Sequence, residues 1–162
     1  MLKLFILCTA LFWQVAALAD EAMDKALNNT LDNFHLAAAE ADYDEYFNLL
    51  AEDSVFLGTD ASERWTKAAF KKFVKPYFSQ GKGWRYESSH RYISKVKGEN
   101  IFFFDELLNN DSYGQCRGSG VLIKENNQWK ILQYNLSIPV PNKLSKHIVS
   151  IINNADEINQ KP

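Results

Sequence analysis

Apolar residues Leu27, Leu31, Phe34, Ala38 and Ala41 recur at intervals of four and three. That spacing is one face of an amphipathic helix, so a helix is predicted over roughly residues 22–41. Asp42, with Glu45 three residues on, is a start signal for a second, short helix over residues 43–51. Tyr46, Phe47, Leu49 and Leu50 give it a buried side. Ser54 to Leu57 reads as a short strand. Thr66 suits the N-cap of a third helix, because its hydroxyl can accept from an unpaired amide of the first turn. Trp65 and Phe70 then hold the two positions of a hydrophobic staple. Phe70, Phe73, Val74 and Tyr77 form the inward face, with Lys67, Lys71, Lys72 and Lys75 mostly on the other side. Pro76 disturbs the last turn, and Gly81 and Gly83 end the element.

After Gly83 the period changes. Four extended segments follow, over residues 84–97, 101–109, 113–125 and 128–139, separated by short polar turns. Strands joined in this way are antiparallel neighbours. Pro139 and Pro141 stop the last strand, and a tail helix is predicted over residues 144–153. Helices first and an antiparallel meander afterwards is an α+β layout. A sheet of this kind curls around helices on one face, and leaves a cavity where they do not fill its concave side.

Composition narrows the function. The chain is 46% hydrophobic with a formal net charge of −2, enough apolar mass for one core. Acids and bases are interspersed, so no basic surface for nucleic acid is expected. Lys3, an apolar run from Leu4 to Leu18, and the exit Ala17-Leu18-Ala19 read as a cleaved secretory signal over residues 1–19. The run is shorter than the roughly 20 residues of a membrane span. An exported protein, periplasmic or secreted and free of the membrane after cleavage, is therefore expected, with its domain over residues 20–155. Cys8 leaves with the signal, so Cys116 has no partner for an internal disulfide. Three scattered histidines, His35, His90 and His147, give no metal-ligand spacing. No metal and no cofactor is expected.

Several stretches together resemble a known family: "LDNFHLAAAEADYDEYFNLLAEDSVFLGTD" (Leu31 to Asp60), "ERWT" (Glu63 to Thr66), "GKGWRY" (Gly81 to Tyr86), "FFDELL" (Phe103 to Leu108), "YGQCRGSGVL" (Tyr113 to Leu122) and "WKILQYNLSIPVPN" (Trp129 to Asn142). Over roughly residues 26–142 the chain resembles the SnoaL-like group of the nuclear-transport-factor-2-like superfamily. The resemblance implies a cone-shaped curved antiparallel sheet wrapped around the N-terminal helices, a cystatin-like roll. It also implies a pocket opening at one end and a homodimer made through the sheet. The group hosts isomerases, hydrolases, cyclases and plain binding or dimerisation modules, and fold does not fix function. Many relatives carry histidine where this chain has Gln133 and Asn135. Neither amide takes up a proton near pH 7, so catalysis of that style is not expected.

The residues themselves offer candidates. Trp129, Ile131, Gln133, Asn135 and Ser137 share one face by period two, apolar at one end and polar at the other, as a pocket lining is. Arg117 on the preceding strand either neighbours Gln133 or Asn135 and binds an anionic ligand, or pairs with Asp105 or Glu106. Of Asp105 and Glu106 at most one faces inward. A carboxylate buried there would be an acid–base candidate, with a tyrosine or His35 as its companion. His35, beside the apolar stripe of the first helix, is either that companion or a satisfied core histidine. Cys116 alternates with Arg117 and reads as packing. Trp65, Trp84, Tyr86 and Tyr113 are candidate aromatic walls or core. Asp60, Glu63 and Arg64 form either a rim cluster, which the resemblance favours, or solvated loop charges. The expected function is to hold a small, partly apolar molecule. The alternatives are an isomerase or hydrolase using Asp105 or Glu106, and a dimerisation or interaction module.

Overall fold

A computed structural model describes the backbone of residues 2–159 and the side chains of residues 20–155. The expected signal over residues 1–19 therefore has its side chains outside the described residues. The described elements are α1 (Leu2–Glu40), α2 (Tyr43–Asn48), β1 (Leu50–Leu57), β2 (Arg64–Thr66) and α3 (Lys67–Phe78). The meander follows as β3 (Glu87–Lys95), β4 (Ile101–Asn110), β5 (Gly114–Glu125) and β6 (Gln128–Ser137). A 3-10 turn (Asn142–Leu144) leads into α4 (Ser145–Asn159). The architecture is α+β, with a curved, unclosed six-stranded sheet in the order β2-β1-β6-β5-β4-β3. β1 pairs parallel to β6, and every other neighbouring pair is antiparallel.

The predicted stripe of α1 is the core face: Leu27, Leu31, Phe34 and Ala38 are buried against the sheet side of the molecule. Ala41 ends α1 with φ 57°. The Asp42 amide donates to Ala37 O at 2.9 Å and the Ala41 amide to Ala38 O at 3.4 Å, the paired bonds of a Schellman ending. Asp42 at once becomes the cap of α2, its carboxylate accepting from the Glu45 amide at 3.0 Å. α2 stops at Asn48 rather than residue 51, because the chain joins the sheet there: Leu49 O accepts from Ile131 N at 2.9 Å. β1 accordingly begins at Leu50, earlier than the strand expected from Ser54.

Thr66 caps α3 as expected, its hydroxyl accepting from the Ala69 amide at 3.3 Å. The staple partner differs. Trp65 stacks on Phe73, centroids 5.0 Å apart, because Phe70 is drawn inward to stack on Phe56 at 4.2 Å. The three residues before α3 also form an edge strand, β2, that the charged loop composition hid. Pro76 lies within α3, which runs on to Phe78.

Residues 84–86 are not strand. The Trp84 amide donates to Ala38 O at 3.1 Å, so this segment crosses the C-terminal end of α1 before β3 begins. A side chain at Gly83 would collide with the Ala38 and Ala39 carbonyls.

Two bulges set the faces of the meander. In β3 the pairing Ser88↔Leu108 is followed by His90↔Leu107, leaving Ser89 unmatched. In β6, Leu122↔Ile131 and Val121↔Gln133 leave Leu132 unmatched. An extra residue inverts the alternation beyond it. Trp129 and Ile131 therefore face inward with Phe102 and Leu122, but from Leu132 onward the inward residues are Tyr134 and Leu136. The Asn126-Asn127 loop joins β5 to β6 with φ 48° and 65°, the positive values that a tight two-residue hairpin loop requires.

Candidate functional site

α1 carries a polar stripe beside its apolar one. Asn28, Asp32 and His35 follow one another at intervals of four and three, and so line one side of the helix. Opposite them, the Ser89 bulge turns Arg91 inward, where it pairs across the ladder with Glu106 of β4. Glu106 is completely buried. His35 Nε2 lies 2.7 Å from Glu106 Oε1, and the Tyr134 hydroxyl donates to the same oxygen at 3.0 Å. Arg91 Nε donates to Oε2 at 2.9 Å, with Nη2 in charge contact with that oxygen at 2.8 Å. Arg91 Nη1 donates onward to Asp32 at 2.8 Å and to Asn28.

Burial pushes the Glu106 carboxyl up, but the hydrogen bond and charge of His35, with the Arg91 guanidinium, outweigh it and hold the group below the usual carboxylate range. Glu106 is therefore a fixed anion, and His35 Nε2 carries the hydrogen between them. Tyr134 moves the other way: burial, and then the neighbouring Glu106 charge, raise its hydroxyl well above the ordinary value. It stays protonated as a donor. The Tyr134 side chain reaches Glu106 across β5, where Gly118 leaves the space. A Cβ at Gly118 would meet the Tyr134 hydroxyl and the Glu106 carboxylate.

Next to this network is a cleft of about 330 Å³. Phe56 of β1 and Phe70, Phe73 and Tyr77 of α3 form one side. Trp84 and Tyr86, held over the end of α1, and Tyr113 of the β4–β5 turn form the other. Gly58, Thr59 and Glu63 line it from the loop before β2, and Leu136 from β6. Phe73 and Tyr77 are 37% and 45% exposed, so the apolar face of α3 runs past the core and into the cleft. Phe56, Trp84, Tyr86 and Leu136 also line a deeper hollow of about 20 Å³ bounded by His35, Tyr46 and Tyr134. That volume suits a single water. The Tyr46 hydroxyl, fully buried, has no protein partner. Burial raises its pKa far beyond the ordinary value, and raises that of Tyr86 to about 12. Both are neutral donors or acceptors, not bases. His35 also borders an open groove on the far side, with Asp32, Leu36 and Ala39.

The structure divides the expected site residues. Trp84, Tyr86 and Tyr113 line the cleft. Trp65 is one layer back, supporting Phe73. Glu106 faces inward and meets His35, whereas Asp105 is exposed on the outer face, which removes it from the acid–base candidates. Gln133 and Asn135 lie on the outer face opposite Val121 and Ser119, away from the cleft. The Leu132 bulge is the reason. Arg117 is exposed there too, opposite Ser137 and Leu107. It is directly opposite neither amide, and among the described residues it pairs with neither Asp105 nor Glu106. Cys116 is buried, and burial pushes its thiol up, away from the reactive thiolate. Of the loop charges, Glu63 lines the cleft. Sequence reasoning missed Arg91 and Tyr134 as partners of Glu106. The polar stripe of α1 was the available signal for the helix side. Nothing local marks the two bulges. Among the described residues no cluster of His, Cys, Asp or Glu is arranged to hold a metal ion, and no helix is long and apolar enough to cross a membrane.

A helical layer under a curved, unclosed sheet, with an aromatic cleft beside a buried ion network, defines a small α+β roll. The family model described as a SnoaL-like domain matches residues 27–141, and the chain belongs to that family. Similar solved structures agree on the fold. One is a nuclear-transport-factor-2-like protein of unknown function from Pseudomonas putida, 12% identical, with TM-score 0.62 over 75% of this chain and 90% of that one. Another is a cystatin-like-fold protein of unknown function from Nostoc punctiforme, 14% identical, with TM-score 0.59 over 72% and 90%. A third, from Novosphingobium aromaticivorans and provisionally named a scytalone dehydratase, is 14% identical, with TM-score 0.62 over 75% and 87%. At these identities the likeness is one of fold alone. No curated protein matches the chain.

Proposed function

We propose that this SnoaL-like protein is exported and binds a small, partly apolar molecule in the cleft between α3, residues 84–86 and the β4–β5 turn. The observation that carries the reading is the aromatic wall: seven rings converge on a space of about 330 Å³, within the range of small-molecule sites. Three of those rings, Phe73, Tyr77 and Tyr113, are left exposed by the chain's own fold, area that an occupant would cover. N-phenyl-1-naphthylamine, a neutral apolar dye, tests it. Its fluorescence should rise on binding, and Phe73→Ser or Tyr77→Ser should weaken that binding at least about tenfold, the loss of roughly one buried ring edge. Tyr92→Ser, on the outer face, should leave it unchanged. Equal losses at all three positions, or no binding, would overturn the proposal.

A second reading rests on His35. Its imidazole is anchored on a buried anion and borders both the deep hollow and the open groove, the placement of a general acid–base. Dehydratase-like naming among the similar structures supports this reading over one that uses Glu106 directly, because Glu106 is saturated by its partners. A homodimer through the sheet is part of the proposal. Tyr92 and Phe103, 67% and 52% exposed on the outer face, support it, and native mass spectrometry reads oligomer and co-purified ligand together.

A further inference from the structure

The cleft carries one formal charge among its lining residues, and its sign is negative. Glu63 is half-buried, with its backbone tied into the loop: Gly58 N donates to Glu63 O at 2.9 Å. Its carboxylate is tethered as well, Oε2 accepting from the Asp60 amide at 3.2 Å. Packing against Gly58 fixes the side chain further, since a Cβ at Gly58 would collide with it. Among the described residues no cation pairs with Glu63, although Arg64 is its neighbour in sequence. Two lysines of α3 are turned elsewhere: Lys67 to Leu50 O and Glu52, Lys71 over the Phe47 ring. Asp60 beside it is a firm anion, its carboxyl held below the ordinary value by the Ser62 hydroxyl and amide. Tyr86 adds no charge of its own, because burial raises its pKa and keeps it protonated.

A held carboxylate at the edge of a box of π-faces has a definite preference. The faces of Trp, Tyr and Phe are negative and attract a cation within about 6 Å of the ring. The carboxylate adds direct charge attraction, strengthened by the low dielectric of an apolar wall. An anionic ligand meets repulsion from both and finds no Arg or Lys to pair with. The expectation that Arg117 would receive a carboxylate or phosphate ligand fails for the same reason, since it is on the other side of the sheet.

We infer that the ligand of this cleft is an amine, a molecule with an ammonium group set against Glu63 and an apolar or aromatic body between Trp84 and the rings of α3. This rests on the cleft-binding reading above and adds the chemical class. Isothermal titration of the folded domain with two isosteric probes tests it: (4-hydroxyphenyl)trimethylammonium and 4-tert-butylphenol. They share size and shape and differ in charge. The cation should bind at least tenfold more tightly than the neutral probe. Glu63→Gln should remove most of that preference while leaving the neutral probe's affinity as it was, with folding checked by circular dichroism. Equal affinity for the two probes, or a preference that survives Glu63→Gln intact, overturns the amine assignment and leaves cleft binding standing. Failure of both probes, together with failure of the neutral dye, overturns both.

Discussion

At the scale of the residue, Glu106 is the group on which most depends. A carboxylate with no exposed surface is costly unless paired and hydrogen-bonded, and here three donors from two strands and one helix meet it, Tyr134, His35 and Arg91 Nε, with Arg91 Nη2 in charge contact. Removing Arg91 leaves that charge without its permanent cation. Arg91→Ala should lower stability by about 3–5 kcal/mol, the usual cost of breaking a buried pair, measured by urea denaturation. The pH dependence follows from the lowered Glu106 pKa. Because the folded value is below the unfolded one, its stabilising contribution is fully present above the ordinary carboxylate pKa of about 4.3. It is lost as pH falls through the lower, folded value. Glu106→Gln should therefore flatten the acid limb of the stability curve, and an unchanged limb would show that other carboxylates set it.

At the scale of the element, helix ends and strand faces behaved differently. The caps at Asp42 and Thr66 are local: a side chain three residues from the amide it satisfies needs nothing from the rest of the chain. The close of α1 is local too, and it is strained. Ala41 adopts φ 57°, a region that costs an L-residue with a Cβ roughly 1–2 kcal/mol. Glycine pays no such cost there but loses more entropy on folding, by about 0.4–1 kcal/mol. Ala41→Gly should on balance stabilise the protein by about 0.5–1 kcal/mol, seen as a higher denaturation midpoint with an unchanged slope. Strand faces were not local. Period two correctly put Trp129 and Ile131 on the core side of β6, but Leu132 then reversed the parity and carried Gln133 and Asn135 outward.

At the scale of the whole molecule, the body and its C-terminal tail are distinct. The core runs from Leu27 to Leu136. The 3-10 turn and α4 present Leu144, Val149, Ile151 and Ile152 to solvent, each more than 40% exposed. A segment with so little burial contributes little to folding. Deleting residues 142–162 should shift the melting temperature by less than about 3 °C, the change that well under 1 kcal/mol produces in a domain of this size. A large drop would mean that the tail covers part of the body in solution. The cleft belongs to this scale as well. Its walls come from β1, α3, the 84–86 crossing, the β4–β5 turn and β6, with Phe56 and Leu136 eighty residues apart in sequence.

Much of the fold was legible because its signals are short-range. The 27-31-34-38 stripe, the two caps, the turn residues and the change of period after Gly83 each depend on neighbours within a few positions. Together they determined the helices, the meander and their order, and the quoted motifs the family. The site was legible only where residue type decides the matter, as with the aromatic walls at Trp84, Tyr86 and Tyr113. Which of Asp105 and Glu106 turned inward, which arginine met it, and which face of β6 looked into the molecule were settled by tertiary structure. Those outcomes depend on strand register, and one unmatched residue, Ser89 or Leu132, inverts every side chain after it. A bulge is stabilised by what packs around it, here α1 and its polar stripe, and that information is not carried by the strand's own sequence.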